Sequence, residues 1–321
     1  MALGGTGQHV GSHRIEAKVQ MPNFADKLTA RTRELGHPLC VGLDPYMDLI
    51  PAMFRGRTEA ETVYNFFSAF LDISSSKIAI VKPQISLFER MGIPGLESLQ
   101  RLVELAKSLG LLVLLDAKRG DIGVTAQGYA EAYLGGNAFL NVDAITVNPY
   151  MGLDAVEPFV VAAQSAGKGV IVLVRNSNPG ADAFQKLRIG DRQLFEVVAA
   201  SLSEFEERLM GQCGWSSLGV TVSARSPADS VRVRNHLPRA LLLVLGYGAQ
   251  GATASNAIAG LPHRSTGFEG GVVNSSRAVL YPAELGNSWE NAIMDAVSDA
   301  IHSLQHARLY QPSNGPIPGA A

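Results

Sequence analysis

Only two cysteines, Cys40 and Cys213, occur in 321 residues. Two do not make a disulfide framework, and Cys40, set in an apolar run, reads as a small buried hydrophobe. A reducing, cytosolic setting is therefore expected. No apolar run approaches the length that spans a bilayer, and no secretory leader pattern is visible. Charge is sparse as well: charged residues make up 17%, with 27 Lys and Arg against 29 Asp and Glu, for a net −2. That balance gives no reason to expect nucleic acid or an anionic membrane as a partner, so any bound anion must be held by a local site. Familiar catalytic signatures are also missing. There is no G-x-S-x-G elbow, and the first βα turn, Asp44-Pro45-Tyr46, lacks the dinucleotide fingerprint G-x-G-x-x-G. His302 and His306 lie four apart without a carboxylate motif and read as surface residues near a helix end. Neither a metal nor a cofactor is expected.

What the chain does have is apolar material, 46% of its residues, enough for a large core. Its ends differ from the rest. Residues 1–20 are rich in Gly and His, and a second Met at 21 opens a better-patterned segment, so 1–20 reads as a tag remnant or loose extension. Residues 311–321 hold three prolines and two glycines and read as a flexible tail.

Between them strand and helix patterns alternate. A leading helix is expected over Asn23–Gly36, then strands at Pro38–Asp44, Lys77–Gln84, Leu111–Lys118, Ala144–Pro149, Gly169–Pro179, Leu218–Ser223, Leu241–Gly246 and Gly270–Arg277. Helical spacing follows them at Thr58–Ser76, Pro94–Leu109, Ala126–Leu134, Leu153–Ala166, Asp191–Met210 and Ala228–His236, and a closing helix is expected at Trp289–His306. Eight strand-then-helix units predict a single (β/α)8 TIM-type barrel as the catalytic domain, residues 21–310, rather than a doubly wound open sheet.

In such a barrel the C-terminal strand ends share one face. They carry Asp44, Lys82, Asp116, Lys118, Asn148, Ser177, Ser223, Gln250 and Arg277. For Asn148 and Ser223, ordinary turn chemistry is an equally good explanation. The stretch Leu111–Thr125 stands out. Its apolar run ends in Asp116, Lys118, Arg119 and Asp121, and strand alternation puts Leu112, Leu114, Asp116 and Lys118 on one face. A carboxylate and an ammonium side by side at the tip of an apolar strand need a partner or a task. After the seventh strand, Gly246–Gly251 would let backbone N–H groups approach an anion, with Gln250 as a side-chain donor and Arg277 as a planar cation suited to phosphate oxygens.

Asp116-Ala-Lys118-Arg-Gly-Asp121-Ile122-x-x-Thr125 resembles the D-x-K-x-x-D-I-x-x-T signature of the orotidine 5′-phosphate decarboxylase family, and the likeness runs from about residue 23 to about 280. Val147–Gly152 and Asn274-Ser-Ser-Arg277 look like the longer bacterial branch. The resemblance implies cofactor-independent decarboxylation of orotidine 5′-monophosphate to uridine 5′-monophosphate in pyrimidine biosynthesis. It implies a Lys82–Asp116–Lys118–Asp121 array with Lys118 as proton donor, Asp116 against the substrate carboxylate, and Lys82 organising the array and the ribose. It further implies Asp44 on the ribose hydroxyls, Ser177 on the pyrimidine, and Gln250 with Arg277 on the phosphate. A cytoplasmic homodimer is implied too, with Asp121 and Thr125 reaching the neighbouring site. Two rivals differ in kind. Magnesium-dependent relatives resembling 3-keto-L-gulonate 6-phosphate decarboxylase place an acidic residue where this chain has Lys82, and a non-catalytic nucleotide-binding barrel would not need the array.

Overall fold

The computed structural model of the chain describes residues 1, 21–248, 250–283 and 288–310. The extension expected over 1–20, apart from residue 1, and the tail expected over 311–321 lie outside the described residues. Eight parallel strands close into a barrel: β1 (Leu39–Leu43), β2 (Ile80–Pro83), β3 (Leu112–Arg119), β4 (Ala144–Val147), β5 (Gly169–Val172), β6 (Ser216–Ser223), β7 (Ala240–Leu245) and β8 (Gly271–Ser275). Each strand pairs with its sequence neighbours, and β1 pairs with β8 through Leu39 and Val273, which closes the ring. The expected (β/α)8 barrel is the observed fold.

The strands read as continuous apolar runs because both their faces are covered. Outward residues such as Val41, Val81 and Val113 pack in one cluster with Phe66, Phe67 and Phe70 of the helix Glu59–Ser74, and with Leu99 and Leu102 of Gly92–Ser108. Inward residues, among them Cys40, Ile80, Leu114, Ile171, Leu243 and Val272, form a second cluster at the base of the barrel. Phe24, Ala25 and Leu28 of the leading helix, Phe24–Leu35, join this inner cluster and plug the barrel from below. That helix is well specified locally: Asn23 and Asp26 form a capping box, and Gly36 ends it in the left-handed conformation. Gly169 makes room for the plug, because a Cβ there would lie 2.4 Å from the Phe24 ring.

Most expected helices match within a few residues. Asp191–Met210 is corrected. It begins with a small hairpin pairing Arg188–Ile189 with Arg192–Gln193, and the helical part is two pieces, Leu194–Ser201 and Ser203–Arg208, broken at Leu202. Apolar spacing alone did not register that break, since Phe195, Ala199, Leu202 and Phe205 are all buried on either side of it. A second hairpin, His263–Arg264 with Gly267–Phe268, was also not legible as strand.

Candidate active site

Along the barrel interior, polarity changes with height. Ile80 gives way to Lys82 on β2, Leu114 to Asp116 on β3, Ala144 to Thr146 on β4, and Val272 to Asn274 on β8. Lys82 and Asp116 are 3% and 5% exposed, and Lys82 Nζ donates to Asp116 Oδ2 at 2.8 Å. Lys118 Nζ donates to the other oxygen, Asp116 Oδ1, and the Lys118 side chain is 40% exposed, so its ammonium is open to the space above.

The route by which Lys118 gets there was not visible in the alternation of the strand. Lys118 has φ +49°, and it has the only positive φ outside glycine among the described residues. A lysine in that conformation carries backbone strain that the surroundings must hold. The pairing of β3 with β4 shows how. From Leu115 to Arg119 β3 advances four residues, while its partners Ile145 and Val147 are two apart, so β3 bulges over Asp116–Lys118.

Opposite charges settle the ionisation of the buried pair. Burial pulls the Lys82 ammonium towards neutrality, but the Asp116 and Asp44 carboxylates outweigh it and hold the group above its ordinary value. Burial likewise pushes the Asp116 carboxyl up, and Lys82 and Lys118 overcome that, leaving it well below the usual carboxylate range. Both are charged at neutral pH. The Cys40 thiol, by contrast, is pushed up to about 12 by burial and is inert.

The array forms the floor of a cavity of about 300 Å³. Its walls come from the ends of other strands: Asp44 and Tyr46 after β1, Asn176, Ser177 and Asn178 after β5, Gly246, Tyr247 and Gln250 after β7, and Asn274, Ser276 and Arg277 from β8 and beyond. Asp44 Oδ1 is buried and has no hydrogen-bond partner among the described residues, although the residue lines the cavity. Its backbone is pinned, since Tyr281 Oη donates to Asp44 O at 2.9 Å and the Tyr281 ring stacks on Phe66. At the rim, Gly246 and Gly248 both have positive φ, which turns the β7 loop over the cavity, and the Arg277 guanidinium lies 5.4 Å from the Tyr46 ring centre with no carboxylate partner among the described residues.

Of the residues singled out by sequence, Asp44, Lys82, Asp116, Lys118, Ser177, Gln250 and Arg277 line this one cavity. Asp121 and Thr125 do not. Asp121 accepts from Ile122 N–H at the start of the helix Gly123–Leu134, and Thr125 is exposed on that helix. Asn148 and Ser223 do turn chemistry: Asn148 Oδ1 accepts from Tyr150 N–H at 3.0 Å, and Ser223 Oγ accepts from Arg225 N–H at 3.2 Å. Sequence reading missed the wall residues Tyr46, Tyr247, Asn176 and Asn274, and it missed Arg175. That arginine is 2% exposed, donates to Asp229 at 2.8 Å and Asp182 at 2.5 Å, and ties down the segment that carries Ser177. A cation directly before Asn-Ser-Asn-Pro was the available signal for it.

A closed parallel barrel with its charged groups gathered at the C-terminal strand ends is a (β/α)8-barrel enzyme. The model of the Orotidine 5′-phosphate decarboxylase / HUMPS family matches residues 37–290. The chain belongs to this family, and its likeness to named orotidine 5′-phosphate decarboxylases makes it a carboxy-lyase. It is 40% identical over 260 residues to an orotidine 5′-phosphate decarboxylase of Deinococcus radiodurans, covering 81% of this chain and 90% of that one. It is 34% identical over 304 residues to that of Rhodopirellula baltica, covering 89% of this chain and the whole of its relative. Among solved structures, the OMP decarboxylase of Leishmania donovani superposes with a TM-score of 0.71 at 30% identity, covering 88% of this chain and 97% of the other.

Proposed function

We propose that the chain decarboxylates orotidine 5′-monophosphate to uridine 5′-monophosphate without a cofactor, with Lys118 as the proton donor. The observation that carries this reading is the Lys82–Asp116–Lys118 cluster on the floor of the cavity, with both ammonium groups on one carboxylate. As the bond from the ring carbon to the carboxylate breaks, carbon dioxide leaves and its electron pair stays on that carbon. The Lys118 ammonium delivers a proton there and regains one from solvent. Two cations stabilise the charge as it develops, at positions fixed before the reaction begins. Asp116, held ionised, lies against the substrate carboxylate, a repulsion relieved when carbon dioxide departs.

The walls divide the rest of the nucleotide. The Asp44 carboxylate takes a ribose hydroxyl, Ser177 the pyrimidine, and the β7 loop with Gln250 and Arg277 the phosphate. Asp121 and Thr125 complete the array in a partner's site, in a cytoplasmic homodimer. Their absence from this chain's own cavity supports that role, as do exposed apolar residues: Val124, 84% exposed, and Ile122 next to them in sequence, and Tyr150, 83% exposed, and Met151 in the loop after β4. The magnesium-dependent alternative needs an acidic ligand after β2, where Lys82 instead forms an ion pair. The test is an ultraviolet assay of orotidine monophosphate depletion by purified protein in excess chelator. Full turnover is expected; no absorbance change, or turnover only on adding magnesium, refutes the reading.

A further inference from the structure

The bulge that aims Asp116 and Lys118 leaves two backbone N–H groups, those of Ala117 and Lys118, out of the β3–β4 ladder. Both donate to one atom, Thr146 Oγ1, at 2.9 and 2.8 Å. The same hydroxyl donates its own proton to Asp116 Oδ1 at 3.2 Å. Thr146 is 1% exposed, on the interior face of β4. One hydroxyl thus replaces two ladder carbonyls, holds the left-handed backbone of Lys118, and fixes the carboxylate on which both ammonium groups rest.

The barrel uses the device twice. Thr221 Oγ1 on β6 accepts from Val174 N–H at 3.0 Å and donates to Asn176 Oδ1 at 3.2 Å, just where β5 leaves its ladder to form the cavity wall. In each pair the next strand's threonine takes over from the backbone where the preceding strand turns into the site.

We propose that Thr146 is a positioning residue for the reaction: its hydroxyl sets the placement of the Lys118 ammonium and the Asp116 carboxylate without itself touching substrate. This inference rests on the decarboxylase reading. It predicts that position 146 governs the chemical step and leaves nucleotide affinity alone, because the walls that hold the nucleotide do not depend on this bulge.

The experiment compares Thr146→Val with Thr146→Ser in the full chain. Thr146→Val keeps the volume and removes the hydroxyl, so the two N–H groups lose their acceptor and the bulge must relax. A displacement of the donor of about 1 Å lowers kcat about 100-fold, whereas KM and the Kd for uridine monophosphate should change less than about threefold. Thr146→Ser keeps the hydroxyl and is expected within about fivefold of wild-type kcat. If Thr146→Val does not fold, Thr146→Cys replaces it, and its weakly bonding thiol should place kcat well below that of the serine variant. An active wild type with undiminished Thr146→Val overturns the inference alone. So does a folded Thr146→Ser as impaired as Thr146→Val, or a Thr146→Cys at the serine level. An inactive wild type overturns the decarboxylase reading first, and the inference with it.

Discussion

Replacing Asp116 with asparagine removes one charge from the buried array and changes almost nothing in shape. In the native chain the carboxylate faces two cations, Lys82 at 2.8 Å and Lys118 on the other oxygen. An amide can face only one of them with its oxygen; its NH2 then meets the other ammonium, donor against donor. Lys82 is 4% exposed at its side chain, so water cannot take the place of the lost anion, and among the described residues only the Asp44 carboxylate remains nearby, joined in the proposed dimer by Asp121 of the partner subunit. Breaking a buried pair by removing one partner costs about 3–5 kcal/mol. The lower end applies, because Asp44 is retained and Lys118 is partly solvated. A loss of about 3 kcal/mol in a barrel of roughly this size lowers Tm by about 5 °C.

The pH dependence of that gap is a further check. The native carboxyl is held below its unfolded value, so its contribution is present above that value and is lost as pH falls through the folded one. Lys82 is held above its unfolded value, so its contribution is present below that value and is lost as pH rises through the folded one. With unfolded values of about 3.9 and 10.4, the difference between wild type and Asp116→Asn should be full from about pH 5 to about 9 and shrink on either side. Differential scanning calorimetry of both proteins across pH measures it. A fall in Tm under 1 °C at neutral pH, or a gap unchanged to pH 2, would show that Asp116 is not the counter-ion of a buried cation, and the electrostatic account of the array fails.

Other outcomes are expected on the same grounds. Lys118→Ala should abolish turnover while uridine monophosphate still binds; residual turnover within tenfold of wild type removes Lys118 as the proton donor. Mixed with inactive Asp121→Ala under conditions of proven subunit exchange, Lys118→Ala should recover part of the activity, and no recovery rules out a shared site. Arg277→Ala should raise KM by about 100-fold or more through loss of a charge-assisted phosphate contact. A change confined to kcat would place the phosphate elsewhere.

The sequence was most informative where a single local rule governs. Strand runs buried on both faces, helical spacing between them, and repetition of the unit were enough for a closed barrel, because each depends only on near neighbours along the chain. Barrel topology then brought seven residues, from Asp44 to Arg277, to one cavity, which is why reading strand ends found them. Less was legible where a contact joins elements distant in sequence. The break at Leu202 did not register, since apolar spacing runs through it. Arg175 looked like one more strand residue until Asp182 and Asp229 were seen to close on it. Thr146 looked like an ordinary β-branched strand residue.

Alternation along Leu111–Thr125 placed Asp116 and Lys118 on one face, and the structure has them in contact. The means is different. Lys118 arrives through a left-handed turn in a bulge, and nothing in the sequence of β3 announces it, because the hydroxyl that satisfies the freed N–H groups is on β4, some 30 residues away. Composition and local pattern determined that charges would stand at the tip of an apolar strand. Only the closure of the barrel decided their geometry, since an ammonium is aimed by the groups that pack around it, and those come from other strands.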